Sequence, residues 1–132
     1  VRTGLLDYEF KCFQKQFKIG LLFCGERQRT EVEMLSNELA NTSTSFKRFL
    51  KVCGDRIQLH GWKGYTGGLD TQTHTTGTHS VYRLHDHCEF MFHVGPLIPT
   101  TSMDAQYGSR KRHIGNDVVV LIFVEGERSH DE

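Results

Sequence analysis

Neither sign of charge is in excess in this 132-residue sequence: sixteen Lys and Arg stand against sixteen Asp and Glu, for a formal net charge of zero. No global field therefore draws it to nucleic acid or an anionic membrane, and any attraction to a charged partner has to be local. No apolar run approaches the roughly 18 to 20 residues that cross a bilayer as a helix, and the start shows no charged-then-apolar signal pattern. The first residue is Val1 rather than Met, from which a processed or excised piece is expected. The four cysteines, Cys12, Cys24, Cys53 and Cys88, form no C-x-x-C pair. Reduced thiols in a cytosolic protein are the expectation. Both prolines, Pro96 and Pro99, fall in one loop from Gly95 to Ser102, where no central strand can continue. The length suits one domain with a real core and is too short for two.

What is present reads in chain order as alternating strands and helices. In residues 1–15, Leu5, Leu6, Tyr8, Phe10 and Phe13 settle on no period, so this is an entry segment. Phe17 to Cys24 is a strand ended by Gly25. Thr30 with Glu33 three residues on fits a capping box for a short helix through about Asn37. A polar cluster from Asn41 to Ser45 holds a second cap, and Phe46, Phe49, Leu50 and Cys53 then recur at helical spacing up to Gly54. Arg56 to His60 is a short strand. The glycine-rich run Gly61 to Gly68 lacks the GK[ST] ending of a phosphate cradle and reads as a structured surface loop. Asp70 with Thr71, Thr73, Thr75 and Thr76 can hold that loop through side-chain to backbone bonds.

Thr78 to Leu84 and Cys88 to Val94 make a hairpin about His85-Asp86-His87. In its second strand Cys88, Phe90, Phe92 and Val94 face one way and Glu89, Met91 and His93 the other. His79, His85, His87, Cys88 and His93 all lie in this hairpin, but no C-x-x-C or H-E-x-x-H spacing accompanies them and no metal is assigned. A polar segment from about Met103 to His113 suits a helix. Gly115 and Asn116 sit where it stops, both tolerant of the left-handed conformation. Val118 to Val124 is then an almost unbroken apolar strand, expected to be buried on both faces within a helix-covered sheet. The fold class is α/β: one domain with a central mixed sheet flanked by helices and strands near 17–24, 56–60, 78–85, 88–95 and 117–124.

Taken alone, a Gly-Asn pair is a helix stop and a Lys-Arg run a solvated face. Four ordered blocks change that weighting. RKRHIGND (Arg110 to Asp117) with its apolar strand, GWKGYTGGLDTQTHTTGTHSVY (Gly61 to Tyr82), EFMFHV (Glu89 to Val94) and FKIGLLFCGERQRTEVEMLSNE (Phe17 to Glu38) resemble the hallmarks of the Rap-type GTPase-activating domain. The resemblance covers Phe17 to Phe123. It implies a catalytic unit over 16–124 whose C-terminal part is missing, after the entry segment and before a polar tail over 125–132. Such a truncated domain would leave the strand from Val118 with an uncovered edge. Gly95-Pro96 and Thr100 depart from the family's usual residues in that loop.

The activity implied is GTP hydrolysis stimulated in trans. The partner is a Rap-like small GTPase in its GTP-bound form, which carries the GTP and Mg²⁺; the chain has no cofactor of its own. Asn116 is the implied catalytic thumb, its amide holding the attacking water through the acceptor and a phosphate oxygen through the donor. Arg110, Lys111, Arg112, His113, Gly115 and Asp117 are its implied support and partner contacts. Arg110 or Arg112 acting as an arginine finger, or a module that binds a GTPase without accelerating it, are the alternatives. The blocks sit closest to Rap-directed members, although related activators act on Ral or Rheb. The resemblance further implies a cytoplasmic location, with membranes reached only through the lipidated partner, and leaves room for a dimer through regions outside this chain.

Overall fold

The computed structural model describes residues 15–101 and 103–126. The entry segment up to residue 14, Cys12 with it, and the tail from residue 127 lie outside the described residues. The sheet is organised about β1 (Lys15–Cys24), whose second half, Leu21 to Phe23, is buried. On one side β1 pairs parallel with β4 (Cys88–Val94), on the other parallel with β5 (Val119–Val124). β2 (Asp55–Gln58) and β3 (His79–His85) continue the sheet antiparallel beyond β4, giving the order β2-β3-β4-β1-β5 among the described residues. This is the mixed α/β sheet expected, with strand limits within about two residues of those read from the sequence. At the β3–β4 turn Asp86 and His87 both have positive φ, 53° and 66°, the pair of conformations that matches hairpin twist.

Alternation along β1 and β4 sends successive side chains to opposite faces, and different elements cover the two. On the first face lies α2 (Thr44–Cys53), capped by Ser43, whose Oγ accepts from the Phe46 amide at 3.0 Å. Phe46 and Leu50 pack there on Leu21, Phe23, Val81, Phe92 and Val94. Truncating the fully buried Phe46 to Ala would cost about 3–5 kcal/mol. The second face carries α1 (Glu31–Leu35), α3 (Gly108–Ile114) and the loop after β2. Leu22 meets Leu35 and Ile114 there, and Met91 meets Leu59 and Leu69. The expected capping box is present on α1: Thr30 Oγ1 accepts from Glu33 N at 3.2 Å and Glu33 Oε1 accepts from Thr30 N at 2.9 Å.

The glycine-rich stretch is a structured loop held by Asp70. Its Oδ1 accepts from the amides of Gln72 and Thr73, and its Oδ2 from the Thr75 amide and the hydroxyls of Thr73 and Thr75. The Asp70 amide donates to Thr76 Oγ1 at 2.7 Å, while Thr71 contributes its carbonyl, to Gly61 N. The Thr73 and Thr75 hydroxyls, followed by the Gln72 and Thr73 amides, hold the Asp70 carboxyl well below the usual carboxylate range.

Two expectations are corrected. β5 is the edge of the sheet rather than its middle, and Ile122 and Val124 are 47 % and 63 % exposed. Only Phe123 reaches the core, where its ring stacks on Phe23, meets Phe46 edge-on and lies tilted against Phe49. An apolar run reports a preference for burial, but burial needs a neighbour, and among the described residues β5 has a paired strand on one side alone. The helix before β5 is also shorter than 103–113, and neither Gly115 (φ −68°, ψ −17°) nor Asn116 is left-handed. The left-handed residue is Tyr107, φ 57°, at the start of α3.

Candidate functional site

α3 is a seven-residue helix, too short to be stable on its own, so its contacts define the site. Asp104 closes its N-terminus: Oδ1 accepts from Gly108 N at 2.7 Å and Oδ2 from Ser109 N at 3.1 Å. These backbone bonds, with Arg112 nearby, hold the Asp104 carboxyl below its ordinary range. Ile114 packs on Leu22 and Leu35. Arg110 is wholly buried. Its Nε donates to Ile98 O at 2.7 Å, Nη1 to Leu35 O at 2.7 Å and Asn37 O at 3.0 Å, and Nη2 to Glu38 Oε2 at 2.8 Å. A guanidinium with no exposed surface and four acceptors is spent on positioning α3; it is not presented to a partner, as finger or as contact.

The exit of α3 is held from beneath by a histidine. His93 on β4 is 2 % exposed, with Nδ1 2.8 Å from Asp117 Oδ2 and Nε2 2.7 Å from Gly67 O. Both ring nitrogens thus face oxygen atoms of neighbouring elements. The Asp117 side chain is fully buried, and its Oδ1 has no partner among the described residues. It lies over Gly20, which pairs with His93 across the β1–β4 ladder. A Cβ on Gly20 would meet Ile114 Cγ2 at 2.9 Å and Asp117 Oδ2 at 3.0 Å, so the bare backbone at this position is what admits the junction. Gly67 in turn has φ +59° and approaches Met91 as closely as 2.9 Å from its would-be Cβ.

Above this buried base the rest of the stretch is open. Asn116 is exposed, and its Nδ2 donates to Arg112 O at 2.8 Å. The amide therefore both ends the helix and is oriented by it, while Oδ1 carries no hydrogen bond among the described residues. Gly115 is exposed and donates its amide to Lys111 O at 2.7 Å. A side chain there would bring its Cβ within 2.7 Å of that carbonyl. Lys111 reaches Glu31 at 3.4 Å across the surface, Arg112 is exposed, and half-buried His113 has Nδ1 2.9 Å from Ser109 O. An apolar cleft of about 300 Å³ opens beside Gly115, floored by Leu22, Met34, Leu35 and Ile114.

Of the residues expected at the site, Asn116, Gly115, Lys111, Arg112 and His113 thus share one surface, whereas Arg110 and Asp117 lie under it. His93, Gly20 and Asp104 were not singled out for the site. The signal for His93 was its place in β4, on the Met91 side of the strand. Among the described residues no three His, Cys, Asp or Glu side chains converge as a metal site, and no helix is long and apolar enough to cross a membrane.

Comparison with known proteins agrees with this geometry. The Rap/Ran-GAP family model matches residues 34–132. RapA guanosine triphosphatase-activating protein 1 of Dictyostelium discoideum is 49 % identical over 123 residues, which cover 92 % of this chain and 12 % of that protein. GTPase-activating Rap/Ran-GAP domain-like protein 3 of Homo sapiens is 50 % identical over 129 residues, 98 % of this chain and again 12 % of the relative. The chain therefore spans about an eighth of these relatives. The solved structure of the TSC2 GAP domain superposes with a TM-score of 0.76 at 34 % identity, covering 81 % of this chain and 56 % of that one. With the blocks, the sheet and the family model in agreement, the chain belongs to the Rap/Ran-GAP family.

Proposed function

We propose that this chain stimulates GTP hydrolysis by a Rap-type small GTPase, to which it supplies Asn116 in trans. The observation that carries the reading is the Asn116 amide, which is exposed, tied through Nδ2 to the last turn of α3, and open at Oδ1. The partner in its GTP-bound form holds the nucleotide and Mg²⁺, and its slow step is limited by placing water and stabilising charge on the phosphoryl group. An acceptor fixed at a rigid helix exit holds that water in line. The second N–H on Nδ2 remains free to meet a phosphate oxygen. An amide is no base, so its contribution is orientation, which a loose phosphoryl-transfer transition state needs most. The tether to Arg112 O reduces the side-chain entropy lost on docking.

Lys111 and Arg112 place positive charge beside Asn116 that speeds encounter with the nucleotide-bearing face and favours correct register. The cleft beside Gly115 offers an apolar socket at the same surface. In this reading the catalytic unit runs from 16 to 124, works in the cytoplasm, reaches membranes through the lipidated partner, and dimerises through regions outside this chain. The arginine-finger alternative rests on Arg112, the exposed arginine of the run.

Single-turnover hydrolysis by GTP-loaded Rap, with complex formation followed in parallel, tests the reading. Full activation of a small GTPase is worth ~10⁵-fold, or about 7 kcal/mol. Asn116→Ala is expected to lose most of that acceleration while still binding, and Arg112→Ala to change mainly the encounter rate. Wild-type binding without acceleration would leave a docking module. Loss of rate in Arg112→Ala alone would restore the finger.

A further inference from the structure

On the sheet face opposite Asn116 lies a second cavity of about 300 Å³, between α2, the start of β2 and the turn after β4. Its floor is Leu39, Leu50, Val81 and Leu97. Leu50 and Val81 belong to the buried core against α2, so the floor is part of the rigid body of the fold. Its rim is Lys47, Lys51 and Arg56, all exposed. Lys47 and Lys51 stand one helical turn apart on α2, a like-charge spacing that weakens a helix unless an anion sits between or beside the pair. No Asp or Glu lines the cavity, and among the described residues none of these three side chains has an ion pair. The lining also offers no hydroxyl, amide or carboxylate side chain.

We infer that this cavity binds an amphiphilic anion, a free aliphatic carboxylate of about ten carbons, with its chain on Leu39, Leu50, Val81 and Leu97 and its head among Lys47, Lys51 and Arg56. The chemistry of the lining selects this class. Sugars, nucleotides and polar peptides present several hydrogen-bonding groups that these walls leave unmet, and a buried unmet polar group is costly. A saturated chain presents none. The volume is at the small end for ligand cavities and, at about 30 Å³ for a water-sized unit, accommodates about ten such units. The carboxylate meets three unpaired cations at the rim, where attraction is modest for each and adds over the cluster. The site is independent of the proposed action of Asn116, which lies across the sheet.

The test is titration of the 132-residue protein with sodium decanoate below its micelle threshold, followed by calorimetry and by the methyl NMR signals of Leu50, Val81 and Leu97. Saturable one-to-one binding is expected, with shifts concentrated on those methyls. Decanol should bind at least about tenfold more weakly, because it keeps the chain and loses the charge. The surface double variant Lys47→Glu/Lys51→Glu should weaken decanoate about tenfold or more and leave decanol unchanged. Lys47→Ala/Lys51→Ala provides a second reading free of introduced repulsion and should fall between. Asn116→Ala should bind like the wild type. Equal affinity for decanoate and decanol, no effect of either lysine pair, or shifts on other residues would overturn the assignment. Capture by phosphatidylserine vesicles without saturable decanoate binding would overturn it in favour of a membrane-facing surface.

Discussion

Replacing Arg110 by Met keeps the length of the side chain and removes its donors, which makes it the sharpest test of how α3 is held. Four bonds are lost, three of them to the buried carbonyls of Ile98, Leu35 and Asn37 and one to Glu38. The Glu38 carboxylate is 55 % exposed and regains water, so it contributes little. The three carbonyls are stranded at about 1–3 kcal/mol each. Allowing for partial relaxation, the expected loss is about 3–5 kcal/mol, a large share of the 5–15 kcal/mol typical of a domain. Urea unfolding of Arg110→Met beside Arg112→Met measures it. The exposed Arg112 variant should stay within about 0.5 kcal/mol of the wild type. Arg110→Lys should recover only part, since an ammonium cannot reproduce the guanidinium fork. An Arg110→Met protein as stable as the wild type, yet unable to accelerate hydrolysis, would refute the reasoning and return Arg110 to the partner's phosphates.

Further expectations concern the base of the site and the loop below it. Gly20→Ala should push Ile114 and Asp117 apart, given approaches of 2.9 and 3.0 Å, and reduce the hydrolysis rate more than complex formation; an unchanged rate would show that the junction tolerates the shift. His93→Gln leaves the buried Asp117 carboxylate poorly compensated and should cost about 3 kcal/mol in thermal or urea unfolding. Asp117→Asn added to it should then cost little more, a coupling of at least about 1 kcal/mol in the double-mutant cycle; simple additivity would deny the pair. Asp70 has a folded-state pKa below its unfolded value of about 3.9. Its stabilisation is therefore present above about pH 4 and declines as pH falls through the folded value. Asp70→Asn should lower the urea midpoint at pH 7, and its gap to the wild type should narrow progressively as pH falls below about 4; a gap that stays constant would locate the effect elsewhere.

Local signals were legible where chain neighbours alone decide the structure. Thr30 and Glu33 gave the capping box, Phe46 and Leu50 the buried stripe of α2, and Asp70 with its threonines the loop. The hairpin about Asp86 and His87 was legible as a turn, although neither residue is the Asn-Gly pair that usually announces two positive φ values. The expected left-handed stop at Gly115 and Asn116 was misread locally, whereas the other misreadings involve distant partners. Val118 to Val124 reads as a central strand because periodicity reports the apolar character of both faces and nothing of which strands flank it. Arg110 reads like Lys111 and Arg112, and only the carbonyls of residues 35, 37 and 98 converging on one point make it an interior group. His93 is the same case, since its two acceptors come from Gly67 and Asp117.

That convergence bears on how a seven-residue helix can present the side chain proposed as catalytic. A helix of this length gains too little from its own backbone bonds to stay formed, so the order of α3 is supplied from outside. Asp104 fixes its first turn, Arg110 ties it to the segment after α1 and to the turn after β4, Ile114 seats it on Leu22 and Leu35, and Asp117 clamps its exit to His93. Each tie is buried or part-buried, while Asn116, between Ile114 and Asp117, is exposed. The backbone on either side of the amide is thus immobilised although the amide itself is in solvent, and the Nδ2 bond to Arg112 O removes much of what freedom is left. An acceptor prepared in this way loses little entropy when it meets a water already bound by another protein. In the proposed action of Asn116, specificity would reside in the surface around it and rate in the buried contacts beneath it.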